Sequence, residues 1–120
     1  MIKYFRDNEY ILGKKDCWTL IQDIFKDKHN IILPDIPMCI NQSKLETTKF
    51  IKANVILKPL IKAKKGAIVH YSKLGLSHIG YCLNNKQFIH KCVNGVFVEN
   101  IKNDYKIYEV VGTRWNYYMT

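Results

Sequence analysis

Ser77-His78-Ile79-Gly80-Tyr81-Cys82-Leu83, followed after Asn84-Asn85-Lys86 by Gln87-Phe88-Ile89-His90-Lys91-Cys92-Val93 and then Asn94-Gly95, is the stretch that decides how this chain folds. Two runs rich in Ile, Tyr, Phe and Val, each bounded by turn residues, read as antiparallel strands. Asn94-Gly95 is the strongest short-range hairpin signal a sequence offers. Side chains alternate across a strand, so the loop after Leu83 decides whether His78 and His90 share a face. A two-residue loop separates them; an odd loop such as 84–86 brings them together. The alternation favours the odd loop, with His78, Gly80 and Cys82 on one side and Ile79, Tyr81 and Leu83 on the other. Gly80 then leaves room beside His78.

Working outward, strands are expected over residues 67–71, 77–83, 87–93, 96–100 and 108–115. Upstream, Cys17, Leu20, Ile21 and Ile24 recur at helical spacing, with Asp16 placed to cap a helix running to about Lys28. Pro34 and Pro37 break regular structure after it. Ser43-Lys44-Leu45-Glu46 has the form of a capping box and predicts a second helix to about Ala53. Helices first and a meander after predict an α+β domain, its N-terminal helices packed on one face of a C-terminal antiparallel sheet. Residues 1–120 are expected to form a single domain, since a chain of this size buries enough surface to fold without staples.

Composition narrows the partners. Nineteen Lys and Arg against ten Asp and Glu give a net charge of +9, a field that attracts polyanions without specifying one. The basic residues are nearly all Lys and are spread along the chain, with only Arg6 and Arg114 offering a guanidinium fork. That pattern reads as a solvated surface and predicts no specific nucleic-acid site. No run approaches the roughly 18 apolar residues of a membrane span, and the first residues lack an apolar signal core, so neither a span nor a signal peptide is expected. Cys17, Cys39, Cys82 and Cys92 show no Cys-x-x-Cys spacing and are expected as free thiols.

Cys17 falls on the first turn of the first helix, where unpaired backbone N–H groups and the positive end of the dipole favour a thiolate and lower its pKa. Its helical face is that of Leu20, Ile21 and Ile24, so the sulfur is expected to point at the sheet. A Cys thiolate, a His base and a second polar residue orienting that His are the parts of a papain-like acyl-transfer site. The bland alternatives are a small core Cys and two hydrogen-bonded strand histidines. A zinc site from His78, Cys82, His90 and Cys92 has spacings unlike the familiar ligand patterns. His29 and His70 have no partner that the sequence names.

The order of Tyr10-Ile11-Leu12-Gly13, Asp16-Cys17-Trp18-Thr19-Leu20, Ser77-His78-Ile79-Gly80-Tyr81 and Phe88-Ile89-His90 resembles the NlpC family of papain-like bacterial cell-wall cysteine peptidases, over residues 4 to 118. Asp16-Cys17-Trp18 together with Ile32-Leu33-Pro34-Asp35 looks most like the branch found in bacteriophage tail proteins. The chain departs from the family in reading Gly66-Ala67 where Gly-Asp is usual, and in a shorter tyrosine segment.

The resemblance implies a papain-like fold with Cys17 as nucleophile, His78 as base and His90 as the group orienting it. It also implies that the Tyr10 hydroxyl helps the helix-start N–H hold the oxyanion. The implied reaction is hydrolysis of an amide in the peptide stem of peptidoglycan, commonly between γ-D-glutamate and a diamino acid, through a thioester. No metal or organic cofactor is implied. A virion tail, with other tail proteins as partners, or release on lysis is the implied location. A non-catalytic tail-tip protein keeping the papain-like fold is the competing expectation, and a basic nucleic-acid-binding domain a second.

Overall fold

Asp16 starts the principal helix by supplying what a helix end lacks. Its carboxylate accepts from the N–H groups of Trp18 (3.1 Å) and Thr19 (3.0 Å), while the Thr19 hydroxyl accepts from the Asp16 N–H (2.7 Å). This is a reciprocal capping box, and it satisfies donors that would otherwise be orphaned. The computed structural model describes residues 2–6, 9–11, 14–35, 55–73 and 76–113. A short helix α1 (Ile2–Arg6) is followed by α2 (Cys17–His29), which stops at Asn30 in the left-handed conformation (φ 54°). The expected helix at 16–28 is therefore present, α1 was not anticipated, and the helix expected from Ser43 to Ala53 lies outside the described residues.

Six strands follow: β1 (Val55–Leu60), β2 (Ile68–Lys73), β3 (Leu76–Cys82), β4 (Gln87–Cys92), β5 (Gly95–Asn100) and β6 (Lys106–Thr113). They form one antiparallel sheet in the order β1-β6-β2-β3-β4-β5. β2 to β5 make the expected meander. The last strand corrects the simple picture: it crosses back to pair with β2 (Ile68↔Tyr108, Val69↔Ile107) and lies far from β5. It begins at Lys106, two residues earlier than expected. β1 was not expected at all, because Pro59 interrupts its pattern. It lies at the sheet edge, where a missing N–H is tolerated. The β4–β5 turn is also shifted by one: Cys92 pairs with Gly95, so residues 93 and 94 form the loop, and Gly95 opens β5 at φ 127°.

Each face of the sheet carries a core. Trp18, Leu20, Ile21, Ile24 and Phe25 of α2 pack on Ile68, Ile79, Tyr81 and Ile89. The opposite face buries Ala67, Val69, Tyr71, Cys82, Phe88 and Ile107 beneath Leu60 at the end of β1 and Ala63, Ile101 and Tyr105 from the connecting segments. The chain leaving α2 is tied back to it: Trp18 Nε1 donates to the Pro34 carbonyl (2.9 Å), and Gln22 donates to the Leu33 carbonyl (3.1 Å) and the Asp35 carboxylate (2.8 Å).

Because the Asp16 carboxylate accepts from two N–H groups at the α2 start, Asp16→Ala is expected to lower stability by about 1 kcal/mol, within the ~0.5–2 kcal/mol range for caps, with Asp16→Asn retaining most of it. Urea unfolding of the three proteins measures this.

Candidate active site

Cys17 is the first residue of α2 and packs beside its buried apolar stripe. Two contributions compete at its sulfur. Burial, with the Asp16 carboxylate second, pushes the thiol up to about 12, while the backbone N–H groups of Trp18, Cys17 and Ile79 pull it down. The helix start thus acts in the expected direction, but desolvation outweighs it, and the expected lowering is not what the folded chain shows. The Ile79 N–H belongs to β3, immediately after His78. Cys17 therefore touches the strand that carries the expected base.

β3 and β4 diverge at this point. β2 and β3 pair over six positions, whereas the β3–β4 register is formed at Tyr81↔Ile89 and Cys82↔Phe88, beside the loop. Leu83 N–H donates to the Gln87 carbonyl (2.9 Å), so residues 84–86 form the three-residue loop. The Asn84 side chain accepts from the N–H of Lys86 and of Gln87 (2.8 Å each). With that parity His78 and His90 lie on one face of the sheet, as the alternation predicts. It is the face opposite the main body of α2, so Cys17 meets this neighbourhood from the helix end, at the Ile79 N–H.

Tyr71, which the sequence reading did not select, joins the histidines. It is the register partner of His78, and the two rings stack at 5.3 Å and 19°. Its hydroxyl lies 3.5 Å from His90 Nδ1, and its other side of the network is Tyr105, stacked at 4.3 Å. Buried His90 brings Nε2 within 2.7 Å of the Glu99 carboxylate from β5. Burial first, then the charges of Glu99, Tyr105, Cys92 and Cys17, raises the Tyr71 pKa. Tyr71 is thus electrostatically close to both Cys17 and Glu99. The room expected beside Gly80 is filled: a Cβ there would meet Phe88 Cδ2 at 2.5 Å and the Ile89 carbonyl at 2.9 Å. Glycine is needed for ring packing, and Phe88 in turn lies 5.1 Å from the His90 ring.

Tyr10 lies on the Cys17 side. Its pKa rises to about 12 through burial, followed by the charges of Cys17, Asp16 and Cys92. The phenol is neutral and able to donate at physiological pH. The structure thus collects Cys17 with Tyr10, and His78 with His90, and Tyr71 spans the two pairs. Tyr71 and Glu99 escape sequence reading because neither is near the histidines in the chain. Counting back from His78 through the tight β2–β3 hairpin (Lys73↔Leu76) is the signal that leads to Tyr71. Glu99 follows in the same way from the β4–β5 register, opposite Phe88.

The remaining histidines, His29 and His70, lie elsewhere in the fold. His29 Nε2 lies 2.7 Å from the Tyr81 hydroxyl, and burial with Lys28 and Lys65 lowers its pKa. His70 is buried in β2. Cys17, Cys82 and Cys92 are free thiols, and Cys39 lies outside the described residues. Among the described residues no group of three or more His, Cys, Asp or Glu is arranged to hold a metal ion, and no helix is long and apolar enough to cross a membrane. An open pocket of about 520 Å³, lined by Tyr71, Ser72, Glu99 and Tyr105 among others, adjoins the His90–Glu99 pair. It gives a substrate access to this face.

No curated protein matches the sequence. The profile of the NlpC/P60 family matches residues 7–115, a span that includes Tyr10, Cys17, His78 and His90. The antiparallel sheet and its helix suit a papain-like domain, and members of this family are in general cysteine peptidases acting on the cell wall. A match over nearly the whole chain shows that the protein belongs to the NlpC/P60 family.

Proposed function

We propose that this chain is a peptidoglycan hydrolase that cleaves an amide of the peptide stem, between γ-D-glutamate and a diamino acid, with Cys17 as nucleophile. The observation that carries the reading is the closeness of Cys17 to the Ile79 N–H, one residue from His78, in a chain of this family. In the proposed cycle His78 takes the thiol proton and the thiolate attacks the amide carbonyl. The backbone N–H at the α2 start and the neutral Tyr10 hydroxyl donate to the resulting oxyanion. Collapse expels the amine, which receives the proton from His78, and leaves a thioester. Water, deprotonated by His78, then hydrolyses the thioester and frees Cys17.

His90 acts in this scheme as the positioning residue, with the Tyr71 hydroxyl 3.5 Å from its Nδ1 and the Glu99 carboxylate 2.7 Å from its Nε2. No metal or organic cofactor enters the cycle. The charge of +9 supports binding to an anionic wall. We assign the protein to a phage tail, or to release on lysis, on the resemblance of Asp16-Cys17-Trp18 and Ile32-Leu33-Pro34-Asp35 to that branch. A second reading, a non-catalytic tail-tip protein with a retired site, draws on one observation: burial and Asp16 keep Cys17 a thiol well into alkaline pH.

Alkylation by iodoacetamide separates the two. A thiol held near 12 yields little thiolate at neutral pH, and an adjacent imidazolium reverses that. The peptidase reading expects Cys17 to react at neutral pH in the wild type, and in His78→Ala only as the pH approaches 12. Cys82, also pushed up to about 12 by burial, is the inert reference. Equal reactivity of Cys17 and Cys82 in the wild type favours the structural role. On purified peptidoglycan, release of new amino groups is expected to fall to background in Cys17→Ala and by about 10²–10⁴-fold in His78→Ala. Glu99→Gln, which removes the carboxylate charge beside His90 Nε2, is expected to lower kcat about tenfold with little change in KM.

A further inference from the structure

Tyr71 and His78 are opposed across the β2–β3 hairpin, and the strand register fixes that pairing. Side chains opposed on neighbouring strands stand close enough for their rings to meet. Here the two rings form an offset stack, centroids 5.3 Å apart and planes 19° apart. The Tyr71 ring has little room to leave that position. It is 4% exposed, Tyr105 stacks on it at 4.3 Å and 18°, and Phe88 meets it edge-on at 5.5 Å and 68°. Three near-parallel rings therefore run from Tyr105 through Tyr71 to His78. The Tyr71 hydroxyl meanwhile lies 3.5 Å from His90 Nδ1. Burial raises the Tyr71 pKa, so the phenol stays neutral throughout the range in which an imidazole titrates.

We propose that Tyr71 is a positioning residue for His78: its ring face fixes the plane of the imidazole and supports the imidazolium formed when His78 takes the Cys17 proton. This deepens the peptidase reading and rests on it. The transfer breaks the S–H bond of Cys17 and places a positive charge on a half-buried ring, where part of its hydration is lost. The negative face of an aromatic ring within about 6 Å of a cation offsets part of that loss. The ring is already in place, so nothing has to move when the charge appears. The titratable groups around the stack are Cys17 from α2, His90 and Cys92 from β4, Glu99 from β5 and Tyr105 from the loop before β6. The carboxylate among them, Glu99, lies 2.7 Å from His90 Nε2, whereas the face of Tyr71 lies on His78.

The test follows Cys17 alkylation by iodoacetamide across pH, with kcat and KM on a stem peptide, in the wild type, Tyr71→Phe, Tyr71→Leu and Ile107→Ala. Tyr71→Phe keeps the ring face and loses the hydroxyl; Tyr71→Leu loses both. Ile107→Ala thins the same core cluster from β6 and serves as the packing control. In Tyr71→Leu the Cys17 rate at neutral pH is expected to fall about tenfold, its onset moving up by about one pH unit. Its kcat is expected to fall about tenfold with KM nearly unchanged. Tyr71→Phe and Ile107→Ala are expected to keep the wild-type pH onset. Equal losses in Tyr71→Leu and Ile107→Ala, or in Tyr71→Leu and Tyr71→Phe, overturn the proposal. A wild-type profile in Tyr71→Leu, while His78→Ala loses its reactivity at neutral pH, overturns the proposal alone. Wild-type Cys17 no more reactive than Cys82 overturns the peptidase reading and this role with it. A second readout does not require Tyr71→Leu to fold. In the NMR spectra of wild type and Tyr71→Phe, the His78 ring protons are expected upfield of free imidazole, displaced by the ring at position 71, and to titrate alike. Resonances at free-imidazole positions, or a His78 titration that changes with the hydroxyl alone, overturn the proposal.

Discussion

Asn84 accepts hydrogen bonds from the N–H groups of Lys86 and Gln87, and the three-residue loop so closed sets the β3–β4 register on which the whole arrangement depends. A slip of one residue would send every β4 side chain to the other face. His90 would lose Tyr71 and Glu99, and Ile89 would leave the core beneath α2. Gly80 enforces the same register from within the sheet. The Phe88 ring takes the place a side chain at position 80 would need, so the two residues fit together in one alignment. Turn chemistry and packing therefore specify one register twice, the agreement between local and global preference that gives a fold a single answer.

The site that this register builds disfavours ionised groups. Burial raises the pKa values of Cys17, Tyr10 and Tyr71 together. A nucleophile in such surroundings is quiet until a base removes its proton. The surroundings that hold the thiol neutral also magnify fixed donors, because a hydrogen bond to a developing charge is stronger where water is excluded. The N–H groups of Trp18 and Thr19 are held by the Asp16 carboxylate, which fixes the helix start on which Cys17 sits.

What the sequence made legible was local. Asp16 ahead of the stripe Cys17, Leu20, Ile21 and Ile24, and the alternation from Ser77 to Val93, are decided by neighbours in the chain. Those parts of the fold were readable, as was the shared face of His78 and His90. The missing parts depend on contacts between distant residues. β1 reads as broken at Pro59 until its edge position is known, and β6 gives no local sign that it returns to β2. Tyr71 and Glu99 join the histidines only through strand registers. The Cys17 pKa fails for the same reason: the helix end that lowers it is visible in sequence, and the packing that raises it is tertiary.

Lys91 shows how far alternation alone reaches. A diffuse excess of lysine reads as a solvated surface, and for most of the chain that is what it is. Within Phe88-Ile89-His90-Lys91-Cys92, however, any register that turns His90 toward Tyr71 turns Lys91 toward α2. The two cannot be placed independently. The loop that assembles the histidine network therefore also buries a cation under the helix that carries Cys17. β4 thus turns His90 to one face of the sheet and Lys91 to the other.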